Sequence, residues 1–258
     1  MHYTHTKFRI SADVAEFIKL AGFSANTAKL LFALIFLQDQ TEDGWPGIDE
    51  QHDQEVHFAL VTQLRELGLP SNTRSSLFLR KPVTELAANP VVFDHIEIGP
   101  TGRYLTWRFS ACFFAMMADM DVYGLIDASE IGLCRGKFGG ALLAQKPLHR
   151  KKRMPQFRLI DPEASFDLKP SDLLPNLVPS QLKRRLLPQL QKWADVGKIT
   201  FAVLLVQEGS LPGYTDVVIR MRHKETEWPE GRFMKRSPSA RIWTVSPTAI
   251  APPENSEA

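Results

Sequence analysis

The chain presents one order of structural elements twice, and this repeat limits its possible folds more than any other feature. Between residues 56 and 110, the pattern predicts a short apolar strand, a helix, a turn at Gly68 to Pro70, a longer helix and two strands. The same order returns between residues 165 and 222, where Phe166 to Leu168 is the expected opening strand. An apolar helix precedes each copy, at Thr27 to Leu37 and at roughly Glu130 to Leu148. The sequence therefore predicts two domains of similar topology in tandem.

Each copy has the element order of a winged helix, which is a helix-turn-helix with a β-ribbon attached. The predicted fold class is α+β, with two tandem winged-helix domains and a disordered C-terminal tail. We place the domains at residues 1–118 and 119–228 and the tail at residues 229–258. Within the tail, Arg241 to Val245 is expected to add a strand. Residues 246–258 are polar and Pro-rich and are expected to be disordered.

Local signals define several boundaries within these domains. Ser11 is the expected N-cap of a first helix, and Asn26 is the expected cap of the core helix that follows. Gly99-Pro100-Thr101-Gly102 predicts a tight hairpin turn. The apolar segment from Ser110 to Tyr123 reads as a linker across the domain junction, after which the second domain opens with Tyr123 to Asp127.

The two halves of the chain carry opposite charge. Residues 1–132 hold 10 Lys and Arg against 17 Asp and Glu, whereas residues 133–258 hold 21 against 12. The net charges are therefore −7 and +9, which recover the overall +2. Chance variation between solvated faces is the simple explanation, but a contrast this large favours a second half that contacts phosphates.

The helix predicted from Ser180 to Trp193 has the pattern of a DNA-recognition helix. Leu182, Leu186, Leu190 and Trp193 share one face, which would pack against the domain. The opposite face, to which Gln189 is also assigned, carries side chains that can bind guanine and adenine edges or phosphates. Pro188 is expected to kink the helix. A solvated amphipathic helix would look similar, but the position just before a hairpin favours recognition. Its candidate DNA-binding residues are Ser180, Gln181, Lys183, Arg184, Arg185 and Lys192.

Three further segments supply candidate DNA contacts. The matching helix of the first copy, predicted over Ser71 to Val83, is less basic, and we expect fewer contacts from it. A basic connector follows the second apolar helix, where a loop can lie against phosphates. The last strand of the second copy ends in cations that could flank the minor groove. In chain order, these candidates are Asn72, Thr73, Arg74, Arg80 and Lys81, then Arg150, Lys151, Lys152 and Arg153, then Arg220 and Arg222.

Signals for catalysis, cofactors and membranes are poor. His52 and His57 have no third clustered ligand, and Cys134 and His149 are too isolated for a nucleophile and base. We therefore expect no enzyme activity, no cofactor and no metal. No apolar run approaches the roughly 18 residues of a membrane span. The N-terminus lacks a signal-peptide core, and the two cysteines form no paired motif, so a cytoplasmic location is expected.

The second half resembles the plasmid replication initiators with tandem winged helices that bind iteron repeats. The first half is similar to them more loosely, through Phe23 to Leu31 and Leu77 to Leu86. The residues that carry the resemblance in the second half are Ile126-Asp127, Phe138 to Gln145, the basic connector, Pro155 to Leu159, Leu168 to Leu174, Ser180 to Trp193 and Ile199 to Phe201. The resemblance implies binding to repeated origin sites in duplex DNA and recruitment of the host replication initiator and helicase. It also implies possible homodimerisation through the first domain.

Two other functions remain open from the sequence. A transcriptional repressor could use the same fold, and no residue pattern distinguishes it from an initiator. A mobile-element protein could instead use winged helices to bind protein rather than DNA. Salt-dependent binding to duplex DNA would separate the last class from the others, and origin-dependent plasmid maintenance would separate the first two.

Overall fold

The computed structural model shows a mixed α+β chain that forms two compact units. It describes residues 5–41, 45, 56–70, 76–118, 121–150, 152, 155–160, 178–206, 213–214, 216–222 and 241–251. Unit 1 comprises Met1–Lys19 and Phe23–Leu148, and unit 2 comprises Leu20–Gly22 and His149–Ala258.

Unit 1 contains most of the helices. They enclose a buried core that includes Phe8, Phe32, Leu105 and Phe113. In chain order, its elements are β1 (Lys7–Ser11), α1 (Ala12–Ala21), α2 (Ala25–Asp39), β2 (His57–Leu60), α3 (Val61–Glu66), α4 (Leu77–Ala87), β3 (Phe93–Ile98), β4 (Tyr104–Phe109), α5 (Ala111–Ala118), β5 (Tyr123–Asp127), a 3-10 helix (Ala128–Leu133) and α6 (Phe138–His149).

The strands of unit 1 form two antiparallel sheets. One sheet has the order β2-β4-β3, and the other pairs β1 with β5. The predicted hairpin between β3 and β4 is confirmed: the Gly99 N–H donates to the Tyr104 carbonyl at 3.0 Å. Gly102 adopts φ +67°, a left-handed conformation that glycine tolerates without a Cβ clash.

Helix α2 is the core helix that the sequence predicts, with Leu30 to Phe36 buried on every side. Its cap differs from the prediction, because Ser24 rather than Asn26 occupies the N-cap position. The Ser24 hydroxyl accepts the Thr27 N–H, and Glu85 of α4 accepts the Ser24 N–H at 3.2 Å and the Thr27 hydroxyl at 2.6 Å. A tertiary contact with α4 thus completes the cap, which local sequence could not reveal.

The turn between α3 and α4 is a Schellman motif centred on Gly68. The Leu69 N–H donates to the Leu64 carbonyl at 3.3 Å, and the Gly68 N–H donates to the Arg65 carbonyl at 3.0 Å. Gly68 has φ +91°, and the Lys29 ammonium donates to its carbonyl at 3.1 Å. This geometry confirms the turn predicted at Gly68 and ties it to α2.

The segments around residue 118 belong to unit 1, contrary to the predicted domain boundary. Ser110 caps α5 where a linker was expected, since the Phe113 N–H donates to its hydroxyl at 3.1 Å. Strand β5 pairs with β1 instead of opening a second domain. Helix α6 approaches α2 so closely that a Cβ on Gly140 would lie 2.6 Å from the Ala28 Cβ. These long-range contacts place the division between the units after Leu148.

Unit 2 is built on one five-stranded antiparallel sheet of order β10-β9-β7-β8-β6. Two strands, β9 and β10, come from the predicted tail, so its expected disorder is wrong for residues 246–251. The strand expected at Phe166 to Leu168 lies outside the described residues. The elements are β6 (Gln156–Ile160), α7 (Pro179–Gln181), a π turn (Leu182–Leu186), α8 (Leu187–Gly197), β7 (Thr200–Val206), β8 (Asp216–Arg222), β9 (Arg241–Ser246) and β10 (Ala249–Ala251).

The two units share a pattern of strand pairing. In unit 1, β2 precedes two helices and pairs with the second strand of the hairpin, which gives the order β2-β4-β3. In unit 2, β6 precedes the helical stretch and likewise pairs with the second hairpin strand, which gives β6-β8-β7 within the larger sheet. The two units therefore share a sheet topology, although β6 lies before residue 165, where the second copy predicted from the sequence begins.

Within the described ranges, no helix combines the length and apolar character needed to cross a membrane. No group of three or more His, Cys, Asp or Glu side chains in that part of the chain is arranged to hold a metal ion.

The two cysteines should differ sharply in reactivity. Cys112 is exposed, whereas Cys134 is buried, and this burial raises the pKa of its thiol to about 12. Because the thiolate is the reactive form, we expect one fast thiol at pH 8 and a second only after denaturation, measured with a chromogenic disulfide reagent. Cys112→Ser should remove the fast reaction. Equal rates for both thiols in the folded protein would contradict this burial.

Candidate nucleic-acid interface

Residues 179–197 form one helical stretch, which we call the reading helix. It comprises α7, the π turn and α8. Leu182, Leu186, Leu190 and Trp193 are each 2% exposed or less, which confirms the apolar face that the sequence predicts. Burial of such a face is what holds an amphipathic helix against its domain.

The π turn accommodates Pro188 within this stretch. The Leu187 N–H donates to the Leu182 carbonyl, five residues back instead of four. Pro188 therefore lies in the first turn of α8, where its missing N–H breaks no helical hydrogen bond. The sequence predicts a kink at Pro188, and the structure shows a π turn directly before this residue.

The side chains of the reading helix divide into exposed and buried positions. Lys183, Arg184 and Arg185 are exposed, as is Ser180, whereas Gln181 and Lys192 are half-buried. Gln189, expected on the outer face, is only 2% exposed. Gln189 lies three residues after Leu186 and four before Trp193, so regular helical spacing already places it on the buried face, and its assignment to the outer face is wrong.

The C-terminal hairpin, formed by β9, β10 and their turn, lies against the reading helix. The Lys183 ammonium lies 6.0 Å from the centre of the Trp243 ring. Further along the helix, the Gln191 side-chain amide donates to the Ser246 carbonyl at 2.9 Å. Asp195 accepts the Thr248 N–H at 2.6 Å and the Gln191 amide at 2.9 Å.

Sequence reasoning missed these hairpin contacts. The available signal was the spacing of Gln191 and Asp195, which puts two hydrogen-bonding side chains one turn apart on the helix. Nothing in that spacing identifies the turn after β9 as their partner.

In unit 1, α4 presents Arg80 and Lys81 to solvent, while Leu79, Pro82 and Leu86 face the core. The expected helix start at Ser71 and the candidates Asn72, Thr73 and Arg74 lie outside the described residues. The described part of α4 thus offers two adjacent cations, fewer than the reading helix of unit 2.

The remaining candidates divide into exposed and buried positions. Arg150 and Lys152 of the basic connector are exposed, and Lys151 and Arg153 lie outside the described residues. Arg222 is half-buried. Arg220 is only 5% exposed, which withdraws it from a surface contact with DNA. The reason is that β8 is an inner strand covered on both faces: residues 217–221 are all buried, and Arg220 pairs with Ala202 on β7 and with Gln156 on β6.

The charge contrast survives the revised boundary. Residues 1–148 carry 13 Lys and Arg against 17 Asp and Glu, and residues 149–258 carry 18 against 12. The net charge is therefore −4 for the first part and +6 for the second. A basic domain attracts polyanions at long range, whereas an acidic one repels them.

Neutralising the basic connector should weaken binding to every duplex by about the same factor. Phosphate contacts carry no base information, and each one lost should reduce the slope of log affinity against log salt by about 0.9. The measurement is a salt titration of the variant in which Arg150, Lys151, Lys152 and Arg153 are all alanine. An unchanged slope would mean that the connector is only solvated. Lost discrimination between sequences would mean that it reads bases.

Comparison with known protein families gives no match, and neither does comparison with curated proteins.

Proposed function

We propose that the chain is a sequence-specific duplex-DNA-binding protein in which each unit carries a winged helix. The main support is the reading helix: an exposed pair, Arg184 and Arg185, lies on a helix whose opposite face is buried and which immediately precedes a β-hairpin. The shared strand orders β2-β4-β3 and β6-β8-β7 are those expected when a strand, two helices and a hairpin form one unit.

The chemistry of the exposed face suits the major groove. Arginine presents a planar fork that donates two hydrogen bonds to guanine O6 and N7, and lysine supplies a compact charge for phosphate. The apolar back of the helix keeps it fixed on its domain while the front enters the groove. Unit 2 would supply most contacts because it is basic, and unit 1 would add fewer contacts through Arg80 and Lys81 or bind protein partners.

Replication initiation at repeated origin sites is the use that we propose for this binding. It rests on the resemblance to iteron-binding initiators. The same resemblance would make the host replication initiator and helicase partners of this chain, and it would make a homodimer the form that binds DNA or represses transcription. A transcriptional repressor would bind DNA in the same way but would not support replication. Binding itself would require neither nucleotide nor metal.

Selection of duplexes from a random pool by the full-length protein tests the proposed binding. We expect enrichment of one motif and an affinity that falls linearly with salt on logarithmic axes. The protein should bind equally well in a metal chelator. Failure to enrich any motif, with no salt-dependent binding, would favour a protein-binding module. Metal-dependent nicking that is lost on substitution of His52 or His57 would instead indicate an enzyme.

Plasmid maintenance then separates the initiator from the repressor. A replicon that carries the gene and the selected motif, but no other origin, should persist only when the protein is intact. If the replicon is lost even when the protein is intact, and a promoter that contains the motif is repressed, the repressor is favoured.

A further inference from the structure

The C-terminal hairpin is fastened to the reading helix at two separate points. Lys183 over the Trp243 ring holds the first half of the helix, and Gln191 and Asp195 hold the second half. The hairpin is itself fixed in the sheet, because β9 pairs with β7 in the register Val203 to Trp243 and Phe201 to Val245. The helix is therefore held against a rigid sheet by side-chain contacts along its length.

The turn of this hairpin adopts an unfavourable backbone conformation. Ser246 pairs with Ala249, so Pro247 and Thr248 form a two-residue turn. Thr248 has φ +69°, a left-handed conformation that β-branched residues rarely adopt. Such conformations persist when surrounding contacts hold them and are often found at functional positions.

Hydrogen bonds from the reading helix hold this turn. Asp195 accepts the Thr248 N–H at 2.6 Å, and Gln191 donates to both Asp195 and the Ser246 carbonyl at 2.9 Å. Gln191 and Asp195 lie one helical turn apart, so both bind the same hairpin turn. Together these bonds fix the rotation of the helix about its axis.

Helix rotation matters for reading bases. Arg184 and Arg185 lie within the π turn, where the backbone departs from regular α-helical geometry. A recognition group must stay within about 0.5 Å and 10–20° of its productive geometry, which requires support from the residues behind it. The hairpin contacts lie on the same helix and provide such support.

We propose that the C-terminal hairpin positions the reading helix and that Gln191 and Asp195 are positioning residues for discrimination between base sequences. The proposal rests on the proposed DNA binding of unit 2. Phosphate contacts do not depend on this alignment, since an exposed lysine or arginine can follow a phosphate with its flexible stem. Loss of the hairpin contacts should therefore lower specificity more than general affinity.

The test compares Asp195→Ala with Asp195→Asn in the full-length protein. The alanine variant removes the acceptor for Thr248 and Gln191, whereas asparagine keeps an acceptor oxygen and removes only the charge. We expect Asp195→Ala to reduce the ratio of affinities for selected and random duplexes by about tenfold, as when a group that orients a recognition residue is lost. Asp195→Asn should retain the wild-type ratio, and the salt slope should not change in either variant.

A second variant, Thr248→Gly, and a second measurement, amide exchange, distinguish a folding defect from a positioning effect. Thr248→Gly keeps the N–H donor and removes the disfavoured side chain, so it should retain the wild-type ratio with equal or higher thermal stability. Asp195→Ala should increase amide exchange in β9 and β10.

Two outcomes would overturn the positioning role of the hairpin while leaving the proposed DNA binding intact. An unchanged affinity ratio in Asp195→Ala, with wild-type binding intact, would reduce the hairpin to a purely structural element. Equal losses of affinity for selected and random duplexes would mean that Asp195 supports DNA binding in general and not discrimination between sequences. Absence of duplex binding by the wild-type protein would overturn the proposed function as well, so the two failures are distinguishable.

Discussion

Replacing Arg184 and Arg185 together with alanine should weaken binding to the selected duplex by about 10²- to 10⁴-fold. A base-contacting arginine contributes about 1–3 kcal/mol of discrimination, and the two side chains are exposed side by side on the reading helix. Their exposure also means that the substitution should change the free energy of unfolding by no more than about 0.5 kcal/mol. Fluorescence anisotropy with labelled duplexes and a thermal melt measure both quantities.

Single substitutions on other helices are the matched controls. Arg80→Ala removes an exposed arginine from α4, and Arg74→Ala removes the candidate at the predicted start of that helix. We expect each of Arg184→Ala and Arg185→Ala to cost more affinity than either control, because unit 2 carries the basic charge. Equal losses at all four positions would mean that unit 1 reads DNA as much as unit 2.

Gly68→Ala should lower the free energy of unfolding by about 2–5 kcal/mol. The left-handed φ of +91° costs a residue with a Cβ about 1–2 kcal/mol, and overpacking against a neighbouring backbone costs about 1–3 kcal/mol more. The overpacking arises because the new Cβ would lie 2.4 Å from the Cα of Gly132. Chemical denaturation followed by tryptophan fluorescence measures the loss.

Two other glycines separate the backbone cost from the steric cost. Gly136 has φ +61°, but no atom lies within 4 Å of an added Cβ, so Gly136→Ala should show the backbone cost alone. Gly132→Ala introduces a Cβ 3.5 Å from the Gly68 Cα, an ordinary contact, and should cost little. If Gly68→Ala lowers the free energy of unfolding no more than Gly136→Ala does, the close approach to Gly132 adds no steric cost to the substitution.

Local signals in the sequence predicted those elements whose cause is local. Ser11 caps α1 as expected, since the Val14 N–H donates to its hydroxyl at 3.2 Å. The turn at Gly68 and the hairpin at Gly99 to Gly102 need glycine at particular φ angles, and those residues are visible in the sequence. Helix α2 and strands β7 and β8 follow from long apolar patterns.

Of the candidate site, the sequence predicted the composition of the reading helix. The buried face of Leu182, Leu186, Leu190 and Trp193 and the exposure of Arg184 follow from helical periodicity. Gln189 was misassigned to the outer face: it lies three residues after Leu186 and four before Trp193, so the same periodicity places it on the buried face. Arg220 was misplaced for a different reason: whether a strand's side chains are buried depends on what covers each face of the sheet, which the local sequence does not show.

Sequence alone determined the order of helices and strands between residues 56 and 110, the opposite charge of the two halves and the apolar face of the reading helix. Tertiary structure alone decided that β5 pairs with β1, that α6 packs on α2, and that the C-terminal hairpin joins the sheet and binds Gln191 and Asp195. The physical reason is range. Caps, turns and amphipathic faces depend on neighbours within a few residues, whereas strand partners and buried polar contacts depend on segments that only folding brings together.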